Sequence, residues 1–260
     1  MRIRAPKCAA AAIPGSFVHV TCDATLPMRR PLSIMRADDD WIEVLYKIVG
    51  EGLHLLADKK PGDIINILGP VGQPFKPSAK RPKCLLIGGG VGIPPIVFLA
   101  ETLLDEQWAP LAILGSELPF PFGLEKSCIE LSWLDDDIVS TMPLLEDWGV
   151  PARLTSLSGF DGCYRGYVTD LANKWLQSLS ADERRQVEIF ACGPTAMLKA
   201  VAALSEQYDV PCQVSLEEFM ACAVGGCAGC TVEITTPEGP AMKRVCVDGP
   251  VLDASTVVWN

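Results

Sequence analysis

The chain has 260 residues, 49% of them hydrophobic and 21% charged, with a formal net charge of −10 at pH 7. That is enough for two compact units, or two with a small appendage, and the acidic balance excludes a broad basic face for nucleic acid or an anionic membrane. The longest uncharged run, Cys84 to Ala100, holds Gly88, Gly89, Gly90, Gly92, Pro94 and Pro95, a poor start for the ~20-residue apolar helix that a membrane span needs.

Along the chain, Arg2-Ile3-Arg4 reads as the end of a first strand, and the apolar stretch from Cys8 to Ile13 is too short for a secretory signal. Phe17–Val20, Trp41–Tyr46 and Ile64–Leu68 are strand-like, Leu53–Ala57 is helix-like, and Pro61-Gly62-Asp63 is a turn. Short strands with such punctuation suggest a small antiparallel barrel. Only about sixteen residues precede Phe17, so its first strand is expected to be cut short. Lys76 to Pro82 reads as a linker.

Strands and helices then alternate. Cys84–Ile87, Leu111–Leu114 and Val187–Ala191 read as strands; Ile93–Glu106 and Thr195–Tyr208 read as helices, with Pro194 suited to the first turn of the second. This βαβ pattern predicts a parallel sheet. Cysteine and glycine dominate from Val214 onward. The expected class is therefore α/β plus β-barrel: an antiparallel barrel over 1–78, a parallel nucleotide-binding sheet over 79–212, and a small C-terminal module over 213–260.

Eleven cysteines in a chain read as cytoplasmic point to metal or redox work rather than disulfides. Cys222-x4-Cys227-x2-Cys230, followed after fifteen residues by Cys246, has the ligand spacing of a plant-type [2Fe–2S] site. Gly225, Gly226 and Gly229 suit a loop whose backbone must approach inorganic sulfide closely. Four-cysteine zinc is the competing reading, and zinc usually takes a C-x2-C pair on both sides. Cys8, Cys22, Cys84, Cys128, Cys163 and Cys212 lack ligand spacing and read as core residues.

Gly88-Gly89-Gly90-Val91-Gly92 lies between a strand and a helix, where glycines let phosphates approach a helix N-terminus. It is not a clean GxGxxG, because the third position falls on Ile93 or Pro95, and a tight packing turn is the alternative. Cys192-Gly193-Pro194 ends a later strand, where α/β sheets bind ligands, or simply opens a helix. Glu117, after Gly115-Ser116, could accept ribose hydroxyls and favour NAD over NADP; a surface glutamate is the alternative.

These motifs together resemble the electron-transfer subunit of class 1B dihydroorotate dehydrogenase, a ferredoxin-reductase-like family, over nearly the whole chain. Arg30-Pro31-Leu32-Ser33-Ile34 is similar to the family's flavin motif, and Lys47-Ile48-Val49-Gly50-Glu51-Gly52 to its next flavin segment. Leu53 stands where the family usually has threonine, and Ala223 where it often has glycine. Gly69-Pro70-Val71-Gly72 with Phe75, Gly166 to Asp170, Ser215-Leu216-Glu217 and Asp248 to Val251 are also family-like. About thirty residues follow Cys230, too few for the complete ferredoxin domain of ring-hydroxylating oxygenase reductases.

The resemblance implies a flavin-binding barrel and a small [2Fe–2S] module, with FAD and the cluster as cofactors and NAD as substrate. Arg30 would meet the FAD pyrophosphate, Lys47, Ile48, Val49, Gly50, Gly52 and Leu53 would surround its phosphates, and Ser33 would meet the isoalloxazine edge. Gly88 to Gly92, Gly193 and Pro194 would take the nicotinamide nucleotide, with Cys192 beside the ring. Cys222, Cys227, Cys230 and Cys246 would hold the cluster. The implied partner is an FMN-containing dihydroorotate dehydrogenase subunit in a hetero-oligomer, expected to be a heterotetramer. Electrons would pass from its FMN through [2Fe–2S] and FAD to NAD⁺, a flavin being the natural converter between one- and two-electron carriers. Related subunits serve sulfide dehydrogenases, hydrogenases and transhydrogenases with the same chemistry. The short start implies weaker FAD retention, and His19 and His54 are isolated, His19 reading as a strand residue.

Overall fold

The computed structural model describes residues 1–259. Five strands of the N-terminal part pair antiparallel: β1 (Arg2–Arg4), β2 (Phe17–Thr21), β3 (Arg30–Asp38), β4 (Trp41–Val44) and β5 (Asn66–Val71). Their spatial order is β1-β4-β3-β2-β5, so β1 and β5 remain edges and the barrel is a half-barrel. Arg2-Ile3-Arg4 does form a strand, with Ile3 opposite Ile42. Two helices, α1 (Pro6–Ala9) and α2 (Gly50–Ala57), accompany the sheet. The strand expected over Ile64–Leu68 lies slightly later, and Ile64 is exposed, outside the ladder.

β2 is buried from Phe17 to Val20, on both of its faces. Val18 and Val20 fill the half-barrel core with Ile34, Ile42, Val44 and Leu56. By the two-residue period of a strand, Phe17 and His19 face the other way. Phe17 there joins an apolar cluster that also holds Met220, Ala223, Cys230 and Cys246. One strand thus links the half-barrel core to the cysteine region.

The second sheet contains β6 (Lys83–Gly89), β7 (Ala109–Gly115), β10 (Ala152–Thr155), β11 (Val187–Cys192) and β12 (Cys212–Ser215), with β15 (Val251–Asp253) at one edge. Its order is β10-β7-β6-β11-β12-β15, parallel except for β15. β11 is buried throughout and β6 nearly so, as parallel strands covered on both faces must be. Helices α3 (Ile93–Thr102), α4 (Pro143–Asp147), α5 (Val168–Ser178), α6 (Ala181–Arg184) and α7 (Thr195–Tyr208) lie in its connections. Two further strand pairs are separate: β8 (Glu125–Lys126) with β9 (Ser140–Thr141), and β13 (Thr231–Thr236) with β14 (Gly239–Arg244).

Helix α3 opens on Ile93-Pro94-Pro95, where the missing proline N–H costs nothing, and it ends at Thr102, short of the expected Glu106. Ile93 to Ala100 are all buried, because the helix packs between β6 and β3. Arg36 of β3 donates from Nε and Nη2 to Glu101 Oε1 at 3.0 and 2.7 Å, tying the half-barrel to this helix. The cysteine segment leaves the parallel sheet at β12 and rejoins it at β15, so it is stitched to the sheet at both ends. Among the described residues no helix is long and apolar enough to cross a membrane.

Candidate functional site

A cleft of about 930 Å³ opens where the half-barrel, the parallel sheet and the cysteine segment meet. Arg30, Pro31, Leu32 and Ser33 of β3 form one wall, with Tyr46, Lys47 and Leu53. Residues 215–221 form the opposite wall, and Val91 and Thr195 lie at the nucleotide-sheet end. The Arg30 Nη1 donates to the carbonyls of Met28 and Arg29 at 2.9 and 3.1 Å, which fixes the guanidinium. A Cβ on Gly52 would stand 3.5 Å from Arg30 Nε and Nη2, so the glycine lets the guanidinium lie along the start of α2.

Val49 gives α2 no side-chain cap, and its first N–H groups lack intrahelical partners. With Arg30 beside it, that helix end is an anion site of the kind a pyrophosphate needs. Gly50 takes φ +71° to make the turn into it. Ile48 and Val49 are exposed at that turn, while Leu53 lines the cleft with a side chain that has no hydroxyl to donate. Ser33 faces the cleft opposite Phe17 in strand register.

At the nucleotide-sheet end the glycines serve two purposes. A Cβ on Gly88 would press on Leu114 and Ile93, one on Gly89 or Gly193 on Met197, and one on Gly92 on the backbone of Cys192. These four are therefore demanded by packing between the two loops. Gly90 differs: it is exposed, takes φ +55°, and has open space where a side chain would go. Pro194 precedes α7 and packs near Gly89. Glu117 is exposed on the loop after β7, whose last residue pairs with Gly89, and its carbonyl accepts the Ser158 hydroxyl at 2.9 Å.

The Cys192 thiol is buried and does not line the cleft. Burial pushes its pKa far up, the neighbouring Glu217 carboxylate adds to this, and a hydrogen bond with Ser215 opposes it, so it stays a neutral thiol. Glu217 does line the cleft. Its side chain keeps an open flank, yet the protein packed round it raises its carboxyl pKa by desolvation. Sequence reasoning noted Glu217 only as family-like; its place just past the C-terminal end of β12, where α/β sheets bind ligands, was the usable signal.

The four spaced cysteines gather two by two. Cys222 pairs with Cys227, and Cys246 with Cys230. Backbone N–H groups of Val224, Cys227 and Gly226, with the Cys227 thiol, bring Cys222 down to about 6, so it is a thiolate at neutral pH. Burial, together with Cys230, pushes Cys246 up to about 11, against an N–H of Gly225. Among the described residues no three His, Cys, Asp or Glu side chains converge on one ion position. Two thiol pairs, three of the cysteines from the loop before β13 and Cys246 from the turn after β14, are the donor set of a binuclear cluster, and these residues fit it. Arg244, two residues before Cys246, also escaped sequence reasoning. It donates from Nη1 to the Gly225 carbonyl at 3.0 Å and from Nε to Asp248 at 3.0 Å, pinning the loop. Ala223 and Ala228 take φ +56° and +53°, as a loop folded round a small inorganic core requires.

Comparison with known proteins agrees with this geometry. Residues 217–258 match the iron-sulfur cluster binding domain of dihydroorotate dehydrogenase B. The chain is 32% identical over 264 residues to the dihydroorotate dehydrogenase B (NAD(+)) electron transfer subunit of Desulforamulus reducens, covering 100% of this chain and 92% of the relative. It is 34% identical over 251 residues to the subunit of the same name from Geobacillus sp. (strain WCH70), covering 94% and 86%. Among solved structures, a chain of the NADH-dependent reduced ferredoxin-NADP oxidoreductase superposes with TM-score 0.76 at 26% identity, over 99% of this chain and 84% of that one. The ferredoxin reductase of carbazole 1,9a-dioxygenase, at 21% identity and TM-score 0.57 over 77% and 58%, shares the fold.

Proposed function

Since the chain belongs to the family of dihydroorotate dehydrogenase B electron transfer subunits, we propose that it carries electrons from a dihydroorotate-oxidising FMN subunit to NAD⁺. The observation that carries this reading is the continuity of the site. Residues 215–221 line the cleft, and the next residue, Cys222, begins the cysteine loop. A two-electron and a one-electron carrier held there would be neighbours.

FAD supplies hydride exchange with nicotinamide, and a [2Fe–2S] cluster supplies single-electron exchange with the partner. The residues of the chain do the rest. Arg30 and the N-terminus of α2, with Lys47 to Leu53, hold the FAD phosphates. Pro31, Leu32 and Ser33 set the ring edge, and Ser33 is placed to donate a hydrogen bond there. Gly88, Gly89, Gly92, Gly193 and Pro194 bring the two sheet-end loops together, and Gly90 leaves room for the dinucleotide. Cys192, a neutral buried thiol, lies behind this site, its backbone packed against Gly92. Glu217, whose pKa is raised, is suited to hold a proton beside the flavin as its charge changes. Glu117 takes ribose hydroxyls, favouring NAD.

Cys222 with Cys227 and Cys230 with Cys246 would hold the two irons, and Cys246, whose thiol pKa is raised, would have to give up its proton to serve as a ligand. Phe219, Val224 and Met242 are 94%, 60% and 59% exposed around this loop. We place the partner's docking there, in a cytoplasmic heterotetramer, and divide the chain into units 1–78, 79–212 and 213–260, with β12 and β15 shared with the nucleotide sheet. The test is to mix the purified chain with an FMN-containing dihydroorotate dehydrogenase subunit. Co-elution and NADH formation from dihydroorotate and NAD⁺ support the reading; no complex and no NADH formation refute it.

A further inference from the structure

His19 lies in the middle of β2 and is 0% exposed, yet neither ring nitrogen has a hydrogen-bond partner. An imidazole is costly to bury in that condition, and a strand residue with only a packing role would be apolar. The strand's alternation puts the ring on the face of Phe17, toward the cysteine region. The backbone carbonyls of Met220 and Arg29 lie close enough to the ring to favour its protonated form, though neither makes a hydrogen bond to it. Met220 is itself buried, two residues before Cys222, on the peptide that walls the cleft.

That peptide has few other tethers. Among the described residues, none from Glu217 to Gly229 takes part in a backbone-to-backbone hydrogen bond. Before it, the Leu216 N–H is bonded to the Pro250 carbonyl; after it, the Cys230 carbonyl takes the Val245 N–H. Arg244 holds Gly225 in the far half. Beside the near half, between cleft and cysteines, the buried His19 ring lies near the Met220 backbone with both nitrogens free to bond.

We propose that His19 is a positioning residue: its ring N–H holds the Met220 carbonyl once the loop closes round its cluster, fixing the spacing between cluster and flavin. This role rests on the function proposed above. Neutral imidazole suits it, offering one N–H to Met220, with the Arg29 carbonyl beside it. In the reverse direction used for the test, NADH gives the flavin a hydride and hence two electrons. One then passes to the cluster, leaving the flavin oxidised by one electron and the cluster reduced by one.

The test compares wild type, His19→Leu and His19→Gln, each as the chain with FAD and cluster bound. NADH is mixed in a stopped-flow instrument under anaerobic conditions. Flavin bleaching, cluster bleaching, the electron paramagnetic resonance line of the reduced cluster and the melting temperature are followed. The expected result is flavin reduction within about twofold of wild type in both variants, because the nicotinamide end is untouched. Cluster reduction in His19→Leu should slow by ~10-fold or more, as misplacements on the order of 1 Å do. Its resonance line should broaden, and His19→Gln, which keeps a donor, should recover most of the rate. An unchanged cluster phase and line in His19→Leu would overturn the proposal. So would equal slowing of both phases with a lower melting temperature and no recovery in His19→Gln, the signature of general loosening. Wild type without flavin or iron would refute the proposed function itself, a result read before any variant is compared.

Discussion

Gly92 and Cys192 stand so close that a Cβ on the glycine would run into the cysteine's own backbone carbonyl. The contact joins the loop after β6 to the loop after β11, the pair between which a dinucleotide binds in such sheets. Gly92→Ala is therefore expected to cost about 1–3 kcal/mol or more, since the backbone it meets cannot rotate away. It should also weaken NADH-driven flavin reduction. Gly90→Ala meets no atom and should cost only about 1 kcal/mol for its left-handed backbone. Thermal melts with NADH titrations of the two variants check this; equal effects would contradict it.

Cys192 should behave as an inert thiol. Burial, with the Glu217 carboxylate next, pushes its pKa far up, so no thiolate is offered to an alkylating agent near neutral pH. Maleimide applied at pH 7 to the native chain with its cluster bound should label the exposed Cys128, with Cys192 reacting only after unfolding. Mass mapping of the labelled peptides decides it. Rapid labelling of Cys192 in the native chain would contradict the buried geometry.

The spacing of Cys222, Cys227, Cys230 and Cys246 was legible because a cluster fixes its ligands locally, and the strand–glycine–helix context of Gly88–Gly92 was legible for the same reason. What each glycine does was not, since Gly88, Gly89 and Gly92 answer to Leu114, Met197 and Cys192, all distant in sequence. The return of β15 to the parallel sheet leaves no local signal either, being decided by pairing with β12. His19 read as an ordinary strand residue, because alternation tells which face it takes but not that Met220 covers that face.

Arg36 and Glu101 should contribute measurably to the union of half-barrel and nucleotide sheet. The pair is mostly shielded, with side chains 22% and 23% exposed, and the guanidinium also lies over the rings of Trp41 and Trp148. Arg36→Met is expected to cost roughly 2 kcal/mol, typical of a hydrogen-bonded charge pair that loses one member. The cluster-to-protein ratio should not change, as the cysteine loop lies elsewhere. A melt and an iron assay on the same preparation test both halves of this expectation.

Stability should fall as the pH drops below about 6.5, the ordinary histidine value. Burial lowers the His19 pKa; the Met220 and Arg29 carbonyls oppose this, while the charges of Arg29 and Arg30 add to it. The unfolded chain then binds the proton more readily than the folded one, so His19 contributes full stability above pH 6.5 and loses it as pH falls through its folded value. Melting temperatures at pH 7.5 and 5.5 should differ less in His19→Leu than in wild type. An identical pH dependence in the two would contradict a buried neutral imidazole.

The most direct test of electron transfer between nicotinamide and cluster is an anaerobic visible spectrum of the purified chain before and after NADH, with flavin, iron and sulfide measured on the same sample. The expected result is near one flavin and two irons per chain, as FAD with a [2Fe–2S] cluster requires, with both chromophores bleached by NADH. A colourless chain with stoichiometric zinc at the cysteines and no flavin would contradict it.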